Sequence, residues 1–141
     1  MSQRERTLAI IKPDAVAAGH AGEIIAMIEA AGFRILGLRM TRLSLLQAEG
    51  FYDVHRARDF FADLVAFMTQ GAVIVLALER ENGIHAWRDL MGNTNPGKAA
   101  EGTVRRRFGA SIQCNAVHGS DGEDTARNEV AFFFGADDLP G

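Results

Sequence analysis

The sequence has 141 residues, 48% of them hydrophobic, enough to bury one core without staples, so a single domain over residues 1–141 is expected. A formal net charge of -3 excludes a general polyanion-binding surface, while 15 Lys and Arg leave room for one focused basic pocket. The single cysteine, Cys114, excludes an internal disulfide framework; with a charged start and no apolar run able to span a bilayer, a cytoplasmic protein without a membrane partner is expected.

Thr7 to Ile11 is nearly all apolar and rich in β-formers, which predicts a strand buried on both faces. It stops at Lys12-Pro13-Asp14, where proline ends the ladder; on these residues alone Lys12 fits a solvated strand end as well as an anion contact. Ile24, Met27, Ile28 and Ala31 recur at helical spacing, so a core-facing helix is expected over Gly22 to Ala31 with Gly32 as its C-cap. Phe33 to Leu43 reads as a second strand with one wet side. Ser44-Leu45-Leu46-Gln47 has the capping-box pattern and starts a short helix running through Tyr52 and His55. Asp59 is placed to cap a further helix reaching Met68. That helix carries Phe60, Phe61, Leu64, Val65 and Phe67, too many apolar residues for one narrow stripe. Either both leading phenylalanines are core or one of them faces outward.

Ala72 to Leu78 is the clearest buried strand and is expected at the centre of the sheet. Asn82 to Met91 predicts another short helix with Trp87 inward and Arg88 near its end. Gly92 to Gly102 is turn-forming throughout, a long ordered loop of the kind that carries function. Thr103 to Phe108 includes Arg105, Arg106 and Arg107, for which a solvated basic face is the plain alternative. A short last strand near Asn115 to Val117, a closing helix from Glu123 to Phe134 capped by Ser120 or Asp121, and a frayed acidic tail from Ala136 complete the chain. Helices follow most of only four strands, which points to an α+β sandwich of ferredoxin-like type rather than a doubly wound sheet.

His118 lies between an amide and small flexible residues in Asn115-Ala116-Val117-His118-Gly119-Ser120-Asp121. Gly119 is read as giving close ligand approach and a sharp turn, with the imidazole facing a helix N-terminus; taken in isolation, a satisfied histidine in a tight turn is the better reading of the stretch. No P-loop, no Gly-x-Gly-x-x-Gly after a strand and no Gly-x-Ser-x-Gly elbow occurs. A histidine accompanied by Arg, Lys, Thr and Asn suits phosphorus chemistry, with the imidazole as nucleophile and the cations neutralising phosphoryl oxygens. Glu129 can hold the second imidazole nitrogen, or be an ordinary surface glutamate.

With Lys12-Pro13-Asp14, Arg88-Asp89-Leu90-Met91-Gly92, Thr94-Asn95-Pro96 and the stretch around His118 in this order, the chain resembles the nucleoside diphosphate kinases along nearly its whole length. The resemblance implies a ferredoxin-like β-α-β-β-α-β sandwich, with a four-stranded antiparallel sheet and helices on its faces. It implies reversible ping-pong transfer of a γ-phosphate from a nucleoside triphosphate to a nucleoside diphosphate through a phosphohistidine, with low base specificity. Mg2+ would be held mainly by the nucleotide phosphates, with no metal ligand directly from the protein. Carried over by position, His118 is the phosphorylated residue, oriented by Glu129 and Ser120. Lys12 and Tyr52 lie beside the transferring phosphate, Lys12 and Asn115 hold the ribose hydroxyls, and Arg88, Thr94 and Arg105 bind phosphates. Phe60 stacks on the base, with Ile112 on its other face where valine is frequent. A homo-oligomer without a specific nucleic-acid partner is implied, and the short ending after the closing helix is of bacterial type.

Three positions depart from the family's pattern: Glu101 and Ala72 stand where proline is common, and Arg107 where an acid is usual. Glu101 bears on a loop that often helps assemble the oligomer, and Arg107 removes any local pairing an acid there would make. Two other classes compete. A nucleotide-binding scaffold that has lost catalysis requires a missing active residue, and none is missing. An RNA-recognition module stacks bases on aromatics of its central strands, whereas Thr7 to Ile11 and Ala72 to Leu78 contain none.

Overall fold

The computed structural model describes residues 4–140. Four strands, β1 (Arg4–Ile11), β2 (Arg34–Thr41), β3 (Val73–Glu81) and β4 (Val117–Gly119), form one sheet in the order β2-β3-β1-β4. Every neighbouring pair is antiparallel, with Leu8 opposite Ala77 and Ile10 opposite His118. Helices α1 (Pro13–Ala17), α2 (Ala21–Ala30), α3 (Leu45–Phe51), α4 (Phe61–Met68), α5 (Gly83–Met91), α6 (Val104–Phe108) and α7 (Glu123–Phe133) cover it. This is the ferredoxin-like α+β arrangement expected, with β1 and β3 central.

The uninterrupted apolar runs of β1 and β3 follow from burial on both faces. Leu8, Ile10, Val73 and Val75 pack under α3, α4 and α7, against Val65, Met68 and Phe133. Their sequence neighbours Ala9, Ile11, Ile74 and Leu76 point the other way, to Ile24, Ile28 and Trp87. The period-2 alternation of a strand thus feeds two cores at once. Helix α2 ends in a Schellman motif: the N–H of Phe33 reaches the carbonyl of Ile28, that of Gly32 reaches Glu29, and Gly32 sits at φ +90°. The capping box at the start of α3 is present, Ser44 Oγ accepting from Gln47 N and Gln47 Oε1 from Ser44 N.

Several boundaries differ from expectation. Helix α3 stops at Phe51 and a 3-10 turn, Asp53–His55, carries the chain on. Asp59 does not cap α4; Phe60 is the N-cap residue and no side chain bonds there. Thr103 to Phe108 contains the helix α6, capped by Thr103 Oγ1 accepting from Arg106 N. Strand β4 lies two residues later than Asn115 to Val117, because Ala116 turns at φ +75° and cannot join the ladder. Neither Ser120 nor Asp121 caps α7, which begins after Gly122 without a side-chain cap. The tail is not frayed through the described residues: Ala136–Asp138 form a 3-10 turn, and Leu139 packs on the core beside Phe134. No helix among the described residues is long and apolar enough to cross a membrane.

Candidate active site

A cleft of about 860 Å³ opens where β1 ends and β4 begins, walled by the α3–α4 connection on one side and by the loops flanking α6 on the other. All the expected site residues except Glu129 and Ser120 line it, and those two stand behind His118. At one end are Lys12, Tyr52, Arg105 and His118; at the other, Phe60, Leu64 and Ile112.

His118 is carried by β4 and held from several directions. Its Nε2 lies 3.0 Å from Glu129 Oε1, on α7. The same oxygen accepts from Ser120 Oγ at 2.7 Å, and that hydroxyl accepts from the N–H of Leu8 at 3.3 Å. The His118 carbonyl accepts from Trp87 Nε1 at 3.2 Å. The ring of Phe51 meets the imidazole edge-on at 5.4 Å, and that of Tyr52 at 6.1 Å. With Nε2 committed to a carboxylate, a neutral ring carries its proton there and keeps the lone pair on Nδ1. Gly119 serves this arrangement differently from its sequence reading. Its φ is not positive; instead a Cβ there would lie 2.5 Å from both Trp87 Cδ1 and Met91 Cε, so the glycine admits the packing of α5 against β4.

The cationic end is buried and held by one side-chain amide and by backbone carbonyls. Lys12, 7% exposed, donates from Nζ to Asn115 Oδ1 at 2.9 Å, and Asn115 Nδ2 donates to the Thr94 carbonyl at 3.1 Å. Arg105 donates to the carbonyls of Gly92, at 3.1 Å, and Val117, at 2.8 Å, which spreads its guanidinium across the cleft floor. Its Nε is buried without a partner among the described residues. Burial, and then repulsion from Arg105, pushes the Lys12 ammonium down to about 8; burial, and then Arg88, pushes Arg105 down to about 10. Two cations held against their own desolvation favour an anion between them. Burial, reinforced by the charge of Glu129, raises Tyr52 well above the usual phenol range, so it stays a neutral donor; its OH is buried with no described partner.

The opposite end is open and apolar. Phe60 is 43% and Ile112 62% exposed, so of the two leading phenylalanines Phe60 is the outward one while Phe61 packs against the core. Arg58 lies over the Phe60 ring at 5.4 Å, and the His55 ring stands 5.4 Å from it. His55, Asp63, Gln113 and Asp121 also line the cleft and were not singled out for it in the sequence. Asp121 had a local signal, its place in the His118 stretch, but was read as a cap. Gln113 had none: its Nε2 donates to the Asp63 carbonyl, 50 positions away. Phe51 was equally hidden, being one apolar residue in a helix. Among the described residues no three of His, Cys, Asp and Glu gather to hold a metal ion.

The departures Arg107 and Glu101 lie outside this wall. Arg107 Nη2 pairs with Glu23 Oε2 of α2 at 2.8 Å, and its guanidinium covers Phe108. Glu101 is exposed in the turn before α6.

A nitrogen nucleophile backed by a carboxylate, facing buried cations, with an apolar slot beyond them, is an arrangement for phosphoryl transfer to or from a ligand with a flat apolar head. The comparisons agree with it. The family model described as nucleoside diphosphate kinase matches residues 5–139. The nucleoside diphosphate kinase of Halorhodospira halophila is 57% identical over 135 residues, covering 96% of both chains. That of Syntrophotalea carbinolica is 56% identical over 135 residues, covering 96% of this chain and 98% of its own. Among solved structures, the Aquifex aeolicus nucleoside diphosphate kinase superposes with a TM-score of 0.96 at 38% identity, covering 98% of this chain and 100% of its own. The Halobacterium salinarum enzyme, in complex with CDP, gives 0.94 at 35% identity over 99% of this chain and 93% of its own. With a site built for an anion and relatives matching from end to end, the chain belongs to the nucleoside diphosphate kinase family.

Proposed function

We propose that residues 1–141 form one nucleoside diphosphate kinase domain that passes a γ-phosphate between nucleotides by way of His118. The base enters between Phe60 and Ile112, the ribose hydroxyls meet Lys12 and Asn115, and the phosphates run past Arg88 and Thr94 to Arg105. CDP in the Halobacterium salinarum relative supports a nucleotide as ligand.

The lone pair of His118 Nδ1 attacks the γ-phosphorus, a P–N bond forms, and the bond from phosphorus to the β–γ bridging oxygen breaks, its electrons leaving on the diphosphate. Glu129 balances the positive charge that builds on the ring, and Ser120, tied to Leu8, keeps that carboxylate in place. Lys12 and Arg105 neutralise the oxygens of the transferring group, where charge spreads as the bond loosens. Tyr52 donates from the side. A second diphosphate takes the phosphoryl group by the reverse step. Mg2+ carried on the nucleotide phosphates would supply further neutralisation there.

The observation that carries this reading is the 3.0 Å contact of His118 Nε2 with Glu129 beside two buried cations. Incubation with a γ-labelled nucleoside triphosphate and Mg2+ should label the protein at a site stable to base and labile to acid, as a phosphoramidate is. His118→Ala should abolish label and turnover, while His20, His55 and His85 take no label. Equal labelling of the His118→Ala variant would overturn the assignment.

The same reading places the protein in the cytoplasm as a homo-oligomer. Edge strand β2 supports assembly, exposing 48% of Leu38 and 58% of Met40 along unpaired backbone. Light scattering during gel filtration measures the subunit count.

A further inference from the structure

The geometry points to Asp14 as a positioning residue: its carboxylate latches Ala116 in a strained turn, and so keeps Asn115 and His118, on either side of that turn, in register with Lys12. This rests on the roles proposed above for His118 and Lys12.

Ala116 is fully buried at φ +75°, where an L-side chain is disfavoured. The N–H of Val117 donates to the Asn115 carbonyl at 2.9 Å across it, a γ-turn of the strained hand. Both backbone groups of Ala116 are engaged by the corner between β1 and α1. Its N–H donates to Asp14 Oδ2 at 3.1 Å, and its carbonyl accepts from the N–H of Lys12 at 2.8 Å. A turn that alanine resists is therefore clamped by two bonds from one short segment; Asn115 before it and His118, after the core residue Val117, line the cleft. Service to its own helix does not account for Asp14, because α1 has five residues and this oxygen crosses to a residue 102 positions on.

The latch has an electrostatic counterpart. Lys12 meets Arg105 from α6, Asp14 from α1, and Cys114 and the side-chain amide oxygen Oδ1 of Asn115 from the loop before β4. Arg88 of α5, Tyr52 after α3 and His118 of β4 share its cleft. Burial and Arg105 push Lys12 down to about 8, and Asp14 is the larger of the influences opposing them. Removing its charge moves Lys12 lower still.

The test measures kcat and KM against pH, phosphoenzyme formation and Tm for Asp14→Asn and Asp14→Ala, each with and without Ala116→Gly. Asp14→Ala should lower kcat by roughly a hundredfold, the scale of a small misplacement of reacting groups. Ala116→Gly should restore roughly tenfold of that loss, since glycine holds positive φ without a clamp. Asp14→Asn keeps an acceptor for the Ala116 N–H and drops the charge. Its kcat should stay near that of the parent on the acid side of the profile, near pH 6, while the alkaline limb moves to lower pH. A fall in Tm alone, with kcat and the alkaline limb unchanged, would overturn the inference, as would an equal kcat loss in Asp14→Ala whether residue 116 is alanine or glycine. A parent protein that forms no phosphoenzyme would instead overturn the underlying reading.

Discussion

The two ends of the cleft are built on opposite principles. At the proposed phosphate end Lys12, Arg105 and Asn115 are buried, charged or polar, and bonded to backbone carbonyls or to one another. At the proposed base end Phe60 and Ile112 are exposed and offer apolar faces. Buried cations tied at fixed distances discriminate strongly, because a misplaced or missing partner leaves a desolvated charge. Exposed apolar faces accept any flat ring of similar area. Selectivity for the phosphate chain and tolerance of the base are therefore one design at two burial levels.

That contrast can be broken by substitution, and the largest effects, of similar size, are expected behind the proposed nucleophile and at the two buried cations. Glu129→Gln keeps shape but removes the charge facing the imidazole, and should lower kcat by roughly two orders of magnitude; rapid-quench phosphoenzyme formation measures it. An unchanged rate would mean Glu129 only packs. Next come Arg105→Ala and Lys12→Ala, each expected to reduce kcat by roughly a hundredfold or more, as when one strong electrostatic contact in a dry site is lost. Arg106→Ala is the control, since the exposed Arg106 guanidinium donates to the Gly97 carbonyl and does not line the cleft. A damaging Arg106→Ala beside a harmless Arg105→Ala would invert the assignment.

The pH dependence sharpens the phosphate end. Lys12 must be charged to meet an anion, so kcat/KM, which reports the free enzyme, should fall as pH rises through about 8. The stability sign is opposite. The folded value lies below the ordinary 10.5, so the buried charge weakens the fold below about 8, and this burden lifts as pH rises towards 10.5. Lys12→Met should accordingly melt higher than the parent at pH 7, with the gap closing by pH 10, as calorimetry across that range would show. A Tm difference independent of pH would argue against a strained ammonium.

The smallest effects belong to the base end. Phe60→Ala should weaken every nucleotide together by roughly 5- to 150-fold, the range of one lost stacking contact. Across ATP, GTP, CTP and UTP and their deoxy forms, kcat/KM should spread by no more than roughly two orders of magnitude, purines ahead through larger stacked area. A preference beyond a thousandfold would identify an edge-reading group, and Asp63 and Gln113, which line that end, would be the first to substitute.

What the sequence determined by itself was whatever depends on near neighbours. The strands at β1 and β3, the Schellman end of α2 and the capping box of α3 rest on residues within a few positions of one another, and so does the crowding of chemistry around His118. The tertiary structure decided what depends on which face an element presents. Three consecutive arginines on one helix point about 100° apart. Only the docking of α6 decided that Arg105 enters the cleft floor, Arg106 meets Gly97 and Arg107 crosses to Glu23. The same holds for Phe60 against Phe61, for Ser120, whose hydroxyl serves Leu8 and Glu129 instead of a helix, and for Gly119, which yields to Trp87. Ala116 is the clearest case. Nothing in its neighbours calls for a left-handed alanine; a carboxylate and an amide from the far end of the chain hold it there, and only a folded chain brings them within reach.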